Sequence, residues 1–280
     1  MKVVKVVNNN NLCVLDDNGH EQIVSGKGIG FGKKYGDPVD QNEIQKTYLI
    51  TDSKLQEKMI SLLKEIPEEH MNLANEIVEY IKKGYPAKLN DSLLITLSDH
   101  ISFAIERKQK GIEFTNPLLD SIEASYPEAL KMGEYGVERI NEAFGLSMTR
   151  DEAGFIAMHI INAQLDTKMS EVYDITKMIN GCLETAEFTL QMKFDKSSES
   201  YKTFVDYLKY LSPRLLLRRS LPEGLDKDRI FVKMLKKTCH EQYLCAEKIQ
   251  EYMMKTFQIN ISEDILLTLT IHLKRLSANK

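Results

Sequence analysis

Gly26-Lys27-Gly28-Ile29-Gly30-Phe31-Gly32-Lys33-Lys34 places glycine at every second position from 26 to 32. In an extended segment alternate residues face opposite sides. One side then carries no side chains, so another backbone can approach closely or the chain can bend. The other side carries Lys27, Ile29, Phe31 and Lys33, a cation, an apolar residue, an aromatic ring and a second cation pointing one way. Such a row suits phosphates together with a base that stacks. A Walker loop is excluded by spacing, and Phe31 stands where the dinucleotide fingerprint needs its third glycine. By composition alone, a glycine-rich turn in a small sheet is the simpler reading of the same residues.

The surroundings of this stretch are β-like. Val3, Val4, Val6 and Val7, then Leu12, Val14 and Leu15, then Ile23 and Val24, then Tyr48, Leu49 and Ile50 form short apolar runs. Asn8-Asn9-Asn10-Asn11, Asp16-Asp17-Asn18-Gly19 and Tyr35-Gly36-Asp37-Pro38 punctuate them as turns. A small antiparallel sheet over 1–56 follows, with so marginal a core that dimerisation is expected. Its cations gather near the glycine stretch and first strand: Lys2, Lys5, Lys27, Lys33 and Lys34 against Asp16, Asp17 and Glu21. The asparagine run is a turn on one reading and a set of donors and acceptors for base edges on the other.

The whole chain has 280 residues, 28% charged and 42% hydrophobic, which fits a soluble globular protein of two or three domains. A net charge of −4 argues against indiscriminate coating of nucleic acid, though not against a local basic patch. There is no apolar run long enough to insert into a membrane. Met1-Lys2-Val3-Val4-Lys5 leads into alternation rather than a signal-peptide core, and Cys13, Cys182, Cys239 and Cys245 read as reduced thiols, so a cytoplasmic protein is expected.

From residue 57 onward the period is helical. Leu93, Leu94, Leu97, Ile101, Ala104 and Ile105 make one stripe, starting at Asn90 or Asp91. Further helices are expected over about 66–83, 117–131, 134–145 and 150–165, the last opened by a capping box, Thr149-Arg150-Asp151-Glu152. They resume over about 168–191, 199–219, 227–239, 240–257 and 262–277. The two halves repeat. Thr149 precedes His159 by ten residues, as Ser262 precedes His272, and Leu97, Ile101 and Ala104 match Phe204, Leu208 and Leu211. At the place of His100, beside Asp99, the second half has Tyr207.

Each histidine taken singly fits a core position with one satisfied hydrogen bond. Metal ligation is disfavoured, because no two histidines stand at i, i+4 and there is no Cys-x-x-Cys. Histidines at equivalent places in a duplicated bundle suit a switch instead. Imidazole can accept a phosphoryl group, whose charge can open or close a helical interface. No nucleophile–base constellation or cofactor loop is found, so neither an enzyme nor a bound cofactor is expected.

These residues resemble, over the whole length, the BglG/LicT/SacY-type transcriptional antiterminators of the bacterial sugar phosphotransferase system. Lys5, Asn8-Asn9-Asn10, Gly26-Lys27-Gly28 and Gly30-Phe31 match the co-antiterminator RNA-binding domain of that family. Leu97-Ser98-Asp99-His100 with Phe103-Ala104-Ile105, and Glu152 through His159, match its first regulation domain; Leu269-Thr270-Ile271-His272 matches the end of the second. The resemblance implies an α+β multidomain protein: a small N-terminal antiparallel β-sheet domain, dimeric, then two duplicated all-α helical bundles. The expected parts are 1–56 for RNA binding, a linker at 57–64, and regulation domains at 65–168 and 169–280.

The resemblance further implies that the dimer binds an antiterminator hairpin in nascent mRNA, with Lys5, Asn8, Asn10, Gly26, Lys27, Gly28 and Phe31 at the RNA face. It implies phosphorylation of His100 and His159 by the sugar permease EII, which switches the protein off, and of the second domain, at His272, by HPr. Two residues depart from the family: Lys27 where arginine is frequent, and Tyr207 where the second domain has its first histidine. Tyr207 leaves control by HPr to His272 or removes it. The alternative is a DNA-binding activator carrying the same regulation domains, which would begin with a helix-turn-helix.

Overall fold

The computed structural model describes residues 1–50, 52–218 and 229–278. By compactness the chain divides into two units, Met1–Thr115 with Met132–Gln164, and Asn116–Lys131 with Leu165 onward. Expected helical residues 219, 227 and 228 lie outside the described residues.

The first unit starts with strands β1 (Lys2–Asn8), β2 (Asn11–Leu15), β3 (Glu21–Ser25) and β4 (Lys46–Tyr48), antiparallel in the order β1-β2-β3-β4. The front of the alternative reading, a helix-turn-helix, is therefore absent from residues 1–50. Both faces of the sheet are buried. Val3, Leu12, Val14 and Val24 pack with Ile29 and Val39 on one face. Val7, Cys13, Ile23 and Tyr48 pack on the other with Met59, Leu62, Leu63, Met71 and Ile95. Period-2 alternation sends neighbours to opposite sides, so a strand covered on both reads as a continuous apolar run, as Leu12-Cys13-Val14 does.

The second face is covered by helices α1 (Ser53–Glu65), α2 (Glu68–Gly84) and α3 (Ser92–Gln109). Asp52 caps α1 by accepting from the Leu55 amide at 2.9 Å. The stretch 57–64, expected as a linker, is the body of α1, and its Met59, Leu62 and Leu63 are buried. Each such side chain contributes about 1.5–3 kcal/mol of burial. Asn75 of α2 donates to the Tyr48 hydroxyl at 2.9 Å and ties β4 to the helices.

The chain continues through α4 (Leu119–Ser125), α5 (Pro127–Phe144) and α6 (Arg150–Leu165). The expected helix break near Gly133 is not there. It falls at Tyr126, the residue before Pro127, where a proline disfavours the helical conformation of its predecessor and suits the first helical position. Gly133 lies inside α5 for a different reason: a Cβ there would stand 2.1 Å from the Ala153 carbonyl oxygen, so the missing side chain lets α5 and α6 touch backbone to backbone.

The second unit contains α7 (Met169–Leu190), α8 (Glu199–Leu216), α9 (Arg229–Thr238), α10 (His240–Phe257) and α11 (Glu263–Ser277). Their lengths follow the order of α2 to α6: two long helices, a short one, then two long ones. The expected duplication is thus a repeat of five helices. α3 corresponds to α8 and α6 to α11.

Candidate functional site

Two sets of residues carry the functional expectation, one on the sheet and one at the histidines. On the sheet, the glycine segment is not extended. It is a run of tight turns, with the amides of Ile29, Phe31 and Lys33 donating to the carbonyls of Gly26, Gly28 and Gly30. The expected one-sided row therefore does not form. Ile29 turns inward and is 2% exposed, while Phe31 is 78% exposed and Lys27 is exposed beside it. Lys33 Nζ donates to the Pro38 carbonyl at 2.9 Å.

The alternation of glycines is explained all the same. Gly30 donates to the Asn9 carbonyl at 2.9 Å, and a Cβ on it would sit 2.2 Å from the Asn8 carbonyl oxygen. Gly28 has φ +71°, a conformation that side-chain-bearing residues adopt at a cost. Its amide donates to Asn10 Oδ1 at 2.8 Å. The asparagine turn and the glycine segment are so joined into one surface. Asn9, Asn10, Lys27, Gly28 and Phe31 line a groove of about 870 Å³, with Glu68 and Glu69 of α2 on its opposite side.

The remaining expected residues have different surroundings. Gly26 is buried beneath the surface, its amide donating to the Asn10 carbonyl at 3.0 Å. Asn8 is engaged within the protein. Its Oδ1 accepts from the Asn10 amide (2.9 Å) and from Asn11 Nδ2 (3.0 Å), and its Nδ2 donates to the Leu63 carbonyl at 2.6 Å. Lys5 is exposed on β1, opposite Cys13, and is not a lining residue of the groove. Asn10 Nδ2 donates to Glu68 Oε2 at 2.5 Å.

At the second place, α3 and α6 bring His100 and His159 together, with ring centroids 4.8 Å apart. Both rings are half-buried. Burial, and then the neighbouring His100, hold His159 well below the ordinary histidine range. Asp99 points away and is exposed. The carboxylate at His100 belongs to Glu152, whose Oε1 lies 2.7 Å from His100 Nε2. The approach is out of line for a hydrogen bond and is an electrostatic contact. The other oxygen of Glu152 pairs with Arg107, and both residues are buried. The Arg107 guanidinium lies over the rings of Phe103 and Phe114, at 5.4 and 4.3 Å from their centroids. The expected capping box is therefore not formed by Glu152, because its carboxylate turns into the core to meet a ring and a guanidinium.

Glu152 and Arg107 were not expected at this site. Spacing carries the signal for both. Arg107 follows His100 by seven residues on α3, and Glu152 precedes His159 by seven on α6, two turns along the same face in each case.

In the second unit α8 and α11 place Tyr207 on His272 in the same way, stacked at 4.7 Å. Burial pushes the Tyr207 hydroxyl up to about 12, and burial followed by Arg275 lowers His272. Arg214 stands where Arg107 does, over Tyr210 at 3.7 Å. The position of Glu152 is taken by Ile265. Among the described residues no group of histidine, cysteine, aspartate and glutamate could hold a metal ion, and no helix is long and apolar enough to cross a membrane.

Comparison with known proteins matches residues 1–57 to the CAT RNA binding domain, and residues 75–163 and 180–276 to the PRD domain. The chain is 36% identical over 275 residues to transcription antiterminator LicT of Bacillus subtilis (strain 168), covering 98% of both chains. It is 34% identical to the beta-glucoside operon antiterminator of Dickeya chrysanthemi, covering 98% of this chain and 96% of that one. Among solved structures, GlcT CAT-PRDI is similar at 36% identity and a TM-score of 0.50, over 58% of this chain and 97% of that chain.

Proposed function

This chain belongs to the family of transcription antiterminators with a CAT RNA-binding domain ahead of PRD domains, and from that premise we propose that it is a sugar-responsive antiterminator acting on a hairpin in nascent mRNA. In this reading residues 1–56 bind the hairpin as a dimer, and 65–168 and 169–280 are the regulation domains, joined to the first by 57–64. The bound hairpin excludes an overlapping terminator. The groove beside Asn10, Lys27, Gly28 and Phe31 is the RNA face. Gly26 and Asn8 shape it from behind, and Lys5 adds charge at its flank.

Phosphorylation of His100 and His159 by the sugar permease EII silences the protein, and HPr acts on the second unit through His272 alone. The protein is a cytoplasmic regulator and not an enzyme. A bound phosphoryl group adds a charge of about −1.5 to −2 at neutral pH. Placed between α3 and α6, whose buried faces meet at His100 and His159, that charge cannot be accommodated without repacking the two helices.

The observation that supports this reading most is Phe31. It is 78% exposed on the turn segment while Ile29 two residues before it is buried, and it stands beside Asn10 and Lys27. An exposed ring beside a cation and an amide is a stacking platform for an unpaired base. The test is binding of the full chain to a panel of leader-mRNA hairpins. One hairpin is preferred, and Phe31→Ala weakens it by a factor of about 5–100, in keeping with the cost of removing one base-stacking ring. Equal binding of all hairpins, or no loss in Phe31→Ala, rejects the reading.

A further inference from the structure

We infer that Glu152 is a positioning residue that decides which nitrogen of His100 receives a phosphoryl group, directing it to Nδ1, while His159 receives one on Nε2. This rests on the reading of both histidines as phosphorylation sites.

His100 Nε2 and Glu152 Oε1 lie 2.7 Å apart. At that distance the carboxylate favours the positive edge of an Nε2–H over the negative edge of a bare Nε2, so Nε2 carries the proton. The proton on one ring nitrogen fixes the other as the lone-pair nitrogen. For His100 that nitrogen is Nδ1. Space gives the same answer. Nε2 is buried, and a phosphorus atom bonded to it would need the volume that the Glu152 carboxylate fills. The carboxylate is not free to leave, because its second oxygen is paired with Arg107, itself buried and held over Phe103 and Phe114. In His159 the relation is reversed. There Nδ1 is the nitrogen buried without a partner, which leaves Nε2 for a donor to reach.

The second unit supplies an internal control. Arg214 over Tyr210 reproduces Arg107 over Phe103. Phe103 and Tyr210 keep an aromatic ring under the arginine, while the histidine and its carboxylate are both replaced, His100 by Tyr207 and Glu152 by Ile265. The carboxylate is present where α3 carries His100 and absent where α8 carries Tyr207. A purely structural partner of the arginine would have no reason to follow the ring.

In the transfer step the Nδ1 lone pair attacks phosphorus, and an N–P bond forms. The donor's own P–N or P–S bond, of a phosphohistidine or phosphocysteine, breaks, and that donor leaves with the electron pair. The ring becomes an imidazolium whose positive charge faces the Glu152 carboxylate. A carboxylate beside an imidazole that turns cationic stabilises the developing charge, as the carboxylate of a hydrolase triad does.

The test treats the full chain with phosphoramidate, which transfers its phosphoryl group and releases ammonia, and separately with the phosphorylated sugar permease EII, the donor assigned to these two histidines. Phosphohistidine isomers are assigned by NMR and their sites by mass spectrometry. Expected are the Nδ1 isomer at His100 and the Nε2 isomer at His159. Glu152→Gln keeps the shape and removes the charge. It should slow labelling of His100 by about tenfold or more and mix its isomers, with His159 within about twofold of wild type. The Nε2 isomer at His100 of the wild-type chain overturns the inference, as does an unchanged isomer and rate in Glu152→Gln. The wild-type isomer decides the matter if that variant does not fold. Labelling at neither histidine with either donor rejects the phosphorylation reading itself, and the inference with it.

Discussion

Tyr207 stacks on His272 with 4.7 Å between ring centroids, and His100 lies 4.8 Å from His159. The repeat has kept the ring pair and changed the chemistry of one member. A phenol pushed up to about 12 stays protonated at neutral pH and offers no anionic acceptor. Phosphorylated HPr should therefore label His272 and never residue 207. Tyr207→His should gain a second label in the same unit, read by mass spectrometry of the isolated peptides. A phosphoryl group found on Tyr207 would refute this.

Stability should fall as the solution is acidified below the ordinary histidine range. His159, His272 and His70 are all lowered from a value near 6.5, in each case by burial first. Between the lowered and the ordinary value the unfolded chain binds protons that the folded chain does not. The folded state is thus at full strength above about pH 6.5 and weakens on acidification, by at most about 1.4 kcal/mol per pH unit for each ring. Urea midpoints at pH 7.5 and 5.5 measure it. His159→Gln should show a shallower drop than wild type, and a drop just as steep would show that His159 carries none of it.

How much of this was readable in the residues differs from place to place. The first three strands, the five-helix repeat and the positions of His100, Tyr207, His159 and His272 follow from apolar patterning, which burial enforces along each element, whereas the fourth strand is Lys46–Tyr48 and leaves the expected Leu49 and Ile50 outside it. The direction of single side chains did not follow. Ile29 lies between two exposed neighbours because the glycines around it close turns, and turns abolish the two-sided alternation of a strand. Glu152 looked like a helix cap because Thr-x-x-Glu satisfies the local rule. Only the presence of Arg107 and His100 on another helix makes burying its charge favourable. Gly133 looked like a helix end, and a neighbouring helix backbone is what requires it. Each of these depends on a residue distant in sequence.

Gly30→Ala and Gly28→Ala separate two uses of glycine within one segment. At position 30 the new Cβ meets the Asn8 carbonyl oxygen at 2.2 Å, a clash with backbone that cannot swing aside. At position 28 there is open space, and the cost is the positive φ alone. Gly28→Ala should lose about 1–2 kcal/mol of stability, and Gly30→Ala more than about 2 kcal/mol together with hairpin binding. Thermal unfolding and a binding titration give both numbers, and equal losses would mean that the close approach of the two loops is not a constraint.

On the proposed RNA face, Asn10 and Glu68 form the contact that would gate access. Asn10 Oδ1 is taken by the Gly28 amide, so the Nδ2 group is the part that points outward, and it donates to Glu68 Oε2 at 2.5 Å. A carboxylate there occupies a donor that a base or phosphate oxygen would use. Glu69 beside it adds a second negative charge to the same groove. A hairpin bound at this proposed face would displace the first and approach against both. Glu68→Ala in the full chain should therefore raise hairpin affinity by about threefold to tenfold at low salt, with the gain shrinking as salt screens the repulsion. Glu69→Ala has only the repulsive part to lose and should gain less. Asn10→Ala removes the donor from both partners, so it should weaken binding and cancel the benefit of Glu68→Ala in the double variant. If Glu68→Ala binds no better than wild type, the acidic start of α2 does not compete with RNA. If its gain survives Asn10→Ala in full, charge alone accounts for it, and the hydrogen bond between the two residues does not gate the surface.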